Sequence, residues 1–165
     1  MERGLQKLPL PETAHIPGIN PRPDLMFLES VSAYALAVTD EKHWKTNLPW
    51  LYGLKLFNNR FYWEAHEVWE TVWMNAPPNS HEKLFVQGVI HFANGLLKIR
   101  MSRPKAALKL FALSAQDIEQ AVLRRAEPDN QTYMGLVLAD LRKNLVSASG
   151  KDSKDMNISP PNYVL

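Results

Sequence analysis

The sequence contains no cysteine, and this absence removes several classes of chemistry at once. Without a thiol the chain cannot form disulfides, bind zinc or iron–sulfur clusters through thiolates, or use a cysteine nucleophile. Glycine is also scarce, at 7 of 165 residues. No glycine-rich phosphate loop and no G-x-S-x-G turn occurs, which argues against the nucleotide-binding and hydrolase classes that depend on them.

Long hydrophobic runs and a strong net charge are missing as well. No stretch approaches the roughly 18 apolar residues of a membrane-spanning helix, and polar residues interrupt residues 1–10 as a signal-peptide core. The net charge is only +2, too small to indicate a surface for nucleic acid or anionic lipid. We therefore expect a cytoplasmic protein with no membrane partner, and nucleic-acid binding is disfavoured.

Hydrophobic residues, by contrast, make up 45% of the chain and recur at helical spacing. This pattern predicts an all-α, single-domain bundle of about six helices, whose short connections make neighbouring helices mostly antiparallel. The predicted helices cover about residues 24–38, 47–59, 61–75, 79–101, 102 to a point before Pro128, and 132–146.

The two ends of the chain differ from this pattern. Residues 1–23 hold five prolines, which predicts an irregular arm that lies over the surface of the domain. Residues 24–147 form the predicted helical domain, with Asp24 and Ser102 as helix caps. Residues 148–165 are polar and predict a flexible tail.

Four helical turns around the sequence E-A-H-E concentrate carboxylate, imidazole and aromatic side chains. Helical geometry makes His66 and Glu70 an i, i+4 pair and Glu64 and Glu67 an i, i+3 pair, on the two sides of an apolar stripe. One interpretation is a metal or acid–base site, in which His66 and Glu70 bind an ion, Glu67 is the base and His91 is the third ligand. The other is a charge-paired helix in which the cluster is purely structural.

The next helix carries a narrow polar stripe on an otherwise apolar surface. Its members are Lys83, Gln87, His91, Asn94 and Lys98. The stripe is either the solvent face, or it faces the E-A-H-E helix so that Gln87 and His91 line a shared pocket.

The E-A-H-E helix is also rich in large aromatic residues, namely Tyr62, Trp63, Trp69 and Trp73. Such residues usually pack in the core, although tyrosine and tryptophan also favour pockets and partner surfaces. By its position on the helix, Trp63 is the one least suited to the core.

These residues resemble a prokaryotic family catalogued as domain of unknown function three hundred and nine. The family pattern is roughly F-N-x-G-x-Y-[FW]-E-A-H-E-x-x-E-x-x-W, followed by a helix with L-Q-G-L-I-Q. Here the first element begins at Phe57 and ends at Trp73, and the second reads Phe85-Val86-Gln87-Gly88-Val89-Ile90-His91. The resemblance covers about residues 50–125.

The resemblance implies an all-helical fold in which the two motif helices are neighbours, and it implies no activity. It also implies a shared polar cluster of Glu64, His66, Glu67, Glu70 and Gln87. The sequence departs from the family pattern at three points. Arg60 replaces a usual glycine, His91 replaces a common second glutamine, and Met101-Ser102 replaces a usual Gly-Asn turn.

Three functions follow as hypotheses. The first is a domain that binds a small ligand or a divalent metal, and a metal-dependent hydrolase is a weaker version of it. Its ligand candidates are Glu64, His66, Glu67, Glu70, Gln87 and His91, its pocket aromatics are Tyr62, Trp63 and Trp73, and its metal candidates are His66, Glu70 and His91.

The second hypothesis is a protein-interaction or self-association module with an exposed patch that includes Trp63, with Trp44 or Trp50 as further candidate members. In that case the polar cluster is purely structural, and a homo-oligomer is one outcome. The third and weakest hypothesis is nucleic-acid binding through the basic residues between Lys98 and Lys109.

Overall fold

The computed structural model describes residues 7–126, residues 131–150 and Ile158. Within them the chain forms α-helices, one 3₁₀ helix and one short β-hairpin, so the predicted all-α class is confirmed. The helices are α1 (Met26–Ser32), the 3₁₀ helix (Glu41–Thr46), α2 (Leu48–Asn58), α3 (Tyr62–Met74), α4 (His81–Arg100), α5 (Pro104–Leu123) and α6 (Leu138–Ser149). No helix in the described ranges is both long and apolar enough to cross a membrane.

Helices α2 to α5 begin and end close to the predicted residues. Pro49 lies in the first turn of α2, and Pro104 opens α5. Ser80 caps α4, where its side-chain oxygen accepts the Lys83 N–H at 3.0 Å. Proline without an amide donor and serine with a short acceptor side chain suit helix starts, which is why the sequence marks these boundaries well.

Two glycines bring α4 and α5 into close contact. A Cβ atom on Gly88 would lie 2.8 Å from Ile118 Cγ1, and one on Gly95 would lie 2.3 Å from the Phe111 ring. Because the earlier residue of α4 meets the later residue of α5, the two helices run antiparallel. Ser114 adds a buried hydrogen bond of 2.6 Å to the Gly88 carbonyl.

The first helix is shorter than predicted, since it ends at Ser32 and not near Val38. The chain beyond it bonds to the end of α3. Thr39 donates its N–H to the Asn75 carbonyl at 2.9 Å and its hydroxyl to the Val72 carbonyl at 2.7 Å. These tertiary hydrogen bonds take the place of further helical turns.

The prediction of the sixth helix was wrong over its first six residues, 132–137. Thr132–Tyr133 and Leu136–Val137 are antiparallel strands, and α6 starts only at Leu138. Met134 and Gly135 between them have φ angles of 43° and 82°, as a two-residue hairpin turn requires. The Trp50 indole donates to the Met134 carbonyl at 3.0 Å and so fixes this turn to α2.

Two helices end in the same left-handed turn. After α2, the N–H of Phe61 donates to the Leu56 carbonyl, and the N–H of Arg60 donates to the Phe57 carbonyl. After α4, the N–H of Arg103 donates to the Lys98 carbonyl, and the N–H of Ser102 donates to the Ile99 carbonyl. This pattern is the Schellman motif, in which the residue after the C-cap has a positive φ and is usually glycine.

Arg60 and Ser102 occupy these positions with φ angles of 68° and 57°. They are also two of the points at which the sequence departs from the family pattern. The prediction that Ser102 caps α5 was wrong, because the N-cap of α5 is Arg103 and no side chain caps it.

Residues 8–25 form no helix or strand and lie across α2 and α3. The Tyr52 hydroxyl donates to the Pro9 carbonyl at 2.7 Å, and the Lys55 ammonium donates to the Leu8 carbonyl at 2.8 Å. We call residues 8–25 the arm. The predicted tail, 148–165, falls mostly outside the described residues, although α6 continues to Ser149 and Ile158 is buried against Asn58.

Candidate functional site

Helix α3 divides its side chains between the core and a half-exposed polar face. Its buried side includes Ala65, Val68, Trp69 and Val72 and, unexpectedly for a carboxylate, Glu64. His66 and Glu67 are half-buried, whereas Glu70 is exposed. Glu64 thus differs from the other three polar residues of the motif in its burial, although it lies one helical turn from Glu67.

His66, Glu67 and Glu70 form one cluster, which we call the His66 cluster. Nε2 of His66 lies 3.2 Å from Glu70 Oε1, and Nδ1 lies 3.7 Å from Glu67 Oε1. One ligand atom from each residue can be chosen so that all three lie within 4.8 Å of one another. Over the described residues, His66, Glu67 and Glu70 are the one set of at least three histidine or acidic side chains close enough together to hold a metal ion.

Arg22 of the arm also reaches this cluster. Its guanidinium lies 3.8 Å from Glu67 Oε2, and it stacks over the Trp63 ring at 5.3 Å from the ring centroid. The arm therefore places a positive charge beside the carboxylate.

Glu64 is not a member of the His66 cluster and is completely buried beneath the arm. Its Oε1 accepts the backbone N–H of His15 at 2.7 Å, whereas Oε2 has no hydrogen-bond partner. Burial raises the pKa of Glu64 above its ordinary value, and the His15 hydrogen bond opposes that shift. Burial together with the nearby Glu64 carboxyl raises the pKa of Tyr52 to about 12.

Gln87 and His91 face α5 and not α3. Gln87 Nε2 donates to Asp117 Oδ2 at 3.1 Å, and His91 Nδ1 lies 2.9 Å from the same oxygen. His91 is not a member of the His66 cluster. The six candidate residues thus separate into three places: the His66 cluster, the buried Glu64 and the Gln87–His91–Asp117 group.

The aromatic residues of α3 belong largely to the core. Tyr62 and Trp63 are buried, at 7% and 8% exposure, and Trp69 and Trp50 are fully buried. Trp73 is half-buried, with the Lys83 ammonium 4.1 Å from its ring centroid. An interaction patch that includes Trp63 and Trp50 is therefore not available on the surface.

The sequence did not reveal the partners of these residues. Asp117 left a weak signal, because with Ser114 it interrupts the apolar stripe of α5 near Ile118. His15 and Arg22 left none, since the arm has no periodicity.

A second polar group, around His81, was also not predicted from the sequence. His81 bonds to the buried Tyr133 hydroxyl and lies 3.6 Å from Glu82 and 3.9 Å from Glu41, which pairs with Arg125.

The fold and site together define an all-helical domain whose polar motif residues lie in three places. The His66 cluster lies on the half-exposed face of α3, Glu64 is buried, and Gln87 and His91 lie on α4 against α5. Residues 50–110 match the family described as Domain of unknown function (DUF309), which confirms the resemblance inferred from the sequence. This stretch begins at Trp50 in α2, includes α3 and α4, and ends in α5. No curated protein matches the chain significantly.

Proposed function

We propose that this domain binds a divalent transition-metal ion through the His66 cluster. The observation that carries the proposal is the proximity of one imidazole and two carboxylates within 4.8 Å. Imidazole and carboxylate are the usual ligands of zinc, nickel, iron and manganese ions in proteins. Because His66 and Glu70 are one helical turn apart, the helix itself preorganises two of the three ligands.

The spacing of the side chains supports this assignment. Two ligands of one tetrahedral zinc ion, each at about 2.0 Å, lie about 3.3 Å apart. His66 Nε2 and Glu70 Oε1 are 3.2 Å apart, so they can share an ion with little movement. Glu67 then lies 3.7 Å from the other imidazole nitrogen, Nδ1. In that position its carboxylate can orient the ring and increase the basicity of the imidazole. Alternatively, the Glu67 side chain can rotate and become the third ligand of the ion.

Arg22 is expected to weaken this binding. It is 61% exposed and lies 3.8 Å from a Glu67 oxygen, so its charge repels an incoming cation. The Arg22→Gln variant should therefore bind the ion more tightly, by about two- to fivefold, because an exposed charge pair contributes up to about 1 kcal/mol. High salt should reduce this difference between the variant and the wild type.

The test is metal analysis together with calorimetric titration of zinc, nickel and manganese into chelator-treated protein. We expect one ion per chain in the wild type, a loss of at least about tenfold in affinity in His66→Ala, and unchanged affinity in His43→Ala. His43 is a matched control, since it is 68% exposed and also lies beside a carboxylate, Asp40. Circular dichroism verifies that both variants fold.

Two results would overturn the proposal. One is a wild-type protein that binds none of the three ions at micromolar concentration. The other is a folded His66→Ala variant that binds as tightly as the wild type. Either result would leave the cluster as a charge-paired helix surface.

A further inference from the structure

A cavity lies beneath the arm, and Glu64 forms part of its wall. Its volume is about 240 Å³, and its lining consists of Pro9, Leu10, Pro11, Glu12, Pro23, Asp24, Phe27, Leu28 and Glu64. An apolar cavity of about 150 Å³ is known to accept benzene. A small organic molecule with an aromatic or branched aliphatic body therefore fits this space.

Glu64 gives the cavity a specific polar group. Its side chain is fully buried, and of its two carboxyl oxygens Oε1 accepts the His15 N–H whereas Oε2 has no hydrogen-bond partner. A buried polar atom without a partner destabilises the folded protein, because it loses its hydrogen bonds to water and gains none in return. A ligand that donates a hydrogen bond to Oε2 would remove this cost and would be oriented by it.

The charges of the lining favour a cationic ligand. Glu12 and Asp24 add two carboxylates, and the lining contains no lysine, arginine or histidine. The charged side chains of the lining are all carboxylates, so they would repel an anion, whereas an ammonium group would be attracted by all three. The remaining surface is proline, leucine and phenylalanine, which suits an apolar body.

The walls of the cavity are fixed by contacts with α2. Tyr52 donates its hydroxyl to the Pro9 carbonyl, and the Phe27 ring meets the Tyr52 ring edge to face at 5.9 Å between centroids. Tyr52 thereby contacts two residues of the cavity lining, Pro9 and Phe27. The shape is thus maintained by the folded domain as well as by the arm.

We propose that this cavity binds a small primary amine with an apolar body, whose ammonium group donates to Glu64 Oε2. The site is distinct from the His66 cluster, since none of those three residues lines the cavity and Glu64 accepts its hydrogen bond from the arm. The ligand class follows from one buried oxygen without a partner, an apolar space and a lining that is entirely neutral or negative.

The test is calorimetric titration with three probes of similar shape: 2-phenylethylamine, 2-phenylethanol and 3-phenylpropionate. EDTA is present throughout, so that metal binding at the His66 cluster cannot contribute. We expect the amine to bind at least about tenfold more tightly than the alcohol, and the carboxylate not to bind. Glu64→Gln should weaken amine binding by at least about tenfold, because it keeps the acceptor for His15 but removes the charge.

Two further variants keep the test decisive if Glu64→Gln folds poorly. Glu12→Gln removes an exposed charge at the cavity, and we expect amine binding to weaken by about two- to threefold. Glu29→Gln makes the same change on the exposed surface of α1, outside the lining, and should have no effect.

Equal binding of amine and alcohol to the wild type would overturn the proposed ligand class. So would a folded Glu64→Gln variant with full amine affinity, or equal effects of Glu12→Gln and Glu29→Gln. The absence of amine binding at millimolar concentration would overturn the site itself. None of these outcomes affects the metal proposal, whose test uses different variants and no amine.

Discussion

Replacing Ser102 by glycine should stabilise the protein. Ser102 follows the C-cap of α4 with a φ of 57°, in the left-handed region that costs an L-residue about 1–2 kcal/mol. Glycine avoids that cost but loses about 0.5–1 kcal/mol through the greater freedom of the unfolded chain. The expected gain in the free energy of unfolding is therefore about 0.5–1 kcal/mol, or about 1–4 °C in Tm for a domain of this size.

The matched control is Ser102→Ala, which keeps the Cβ atom and removes only the hydroxyl. The Ser102 side chain is exposed and does not cap α5, so alanine should leave the free energy of unfolding within about 0.3 kcal/mol of the wild type. Urea denaturation followed by circular dichroism measures all three proteins.

If glycine is no more stabilising than alanine, the strain assigned to the left-handed turn does not exist. The same comparison at Arg60, where φ is 68°, repeats the measurement at the end of α2. There the difference between Arg60→Gly and Arg60→Ala is the relevant quantity, because both variants remove the arginine side chain.

Three further perturbations test the packing and the charges. Gly88→Ala places a Cβ 2.8 Å from Ile118 Cγ1, so α4 and α5 must separate, and we expect a loss of about 1–3 kcal/mol in urea denaturation. Lys83→Met removes the ammonium that donates to two carbonyls at the end of α3, at 3.0 and 3.3 Å, and should destabilise by about 1–2 kcal/mol, a loss that Lys83→Arg partly restores. A hydrogen bond from Arg142 lowers the pKa of Glu119, so the advantage of the wild type over Glu119→Gln should be present above pH 4.5 and disappear as the pH falls through the lowered pKa. That advantage should stay below about 1 kcal/mol, since both side chains are roughly half exposed, and an advantage that persists in strong acid would contradict the assignment.

The fold was predictable wherever a residue type imposes a local conformation. Pro49, Ser80 and Pro104 mark the starts of three helices because proline and serine act within one turn of themselves. The hairpin before α6 was missed for the opposite reason. Its turn needs a positive φ angle at Met134 as well as at Gly135, and methionine is not one of the residues that favour this conformation.

The candidate site was predictable only within a single helix. The contact between His66 and Glu70 follows from the i, i+4 spacing alone. The positions of Glu64 and His91 depend on segments far away in the sequence, namely the arm through His15 and α5 through Asp117. Such contacts arise from tertiary packing, which the periodicity of one helix does not contain.

The order of the chain has a consequence for how Glu64 becomes buried during synthesis. The arm is made before its partners, since Pro9 precedes Tyr52 by 43 residues and His15 precedes Glu64 by 49. At about 5–20 residues per second, the ribosome adds those residues over about 2–10 s. Throughout that interval the arm has no α2 or α3 to pack against. Glu64 becomes buried only when the arm, which was synthesised seconds earlier, packs over it.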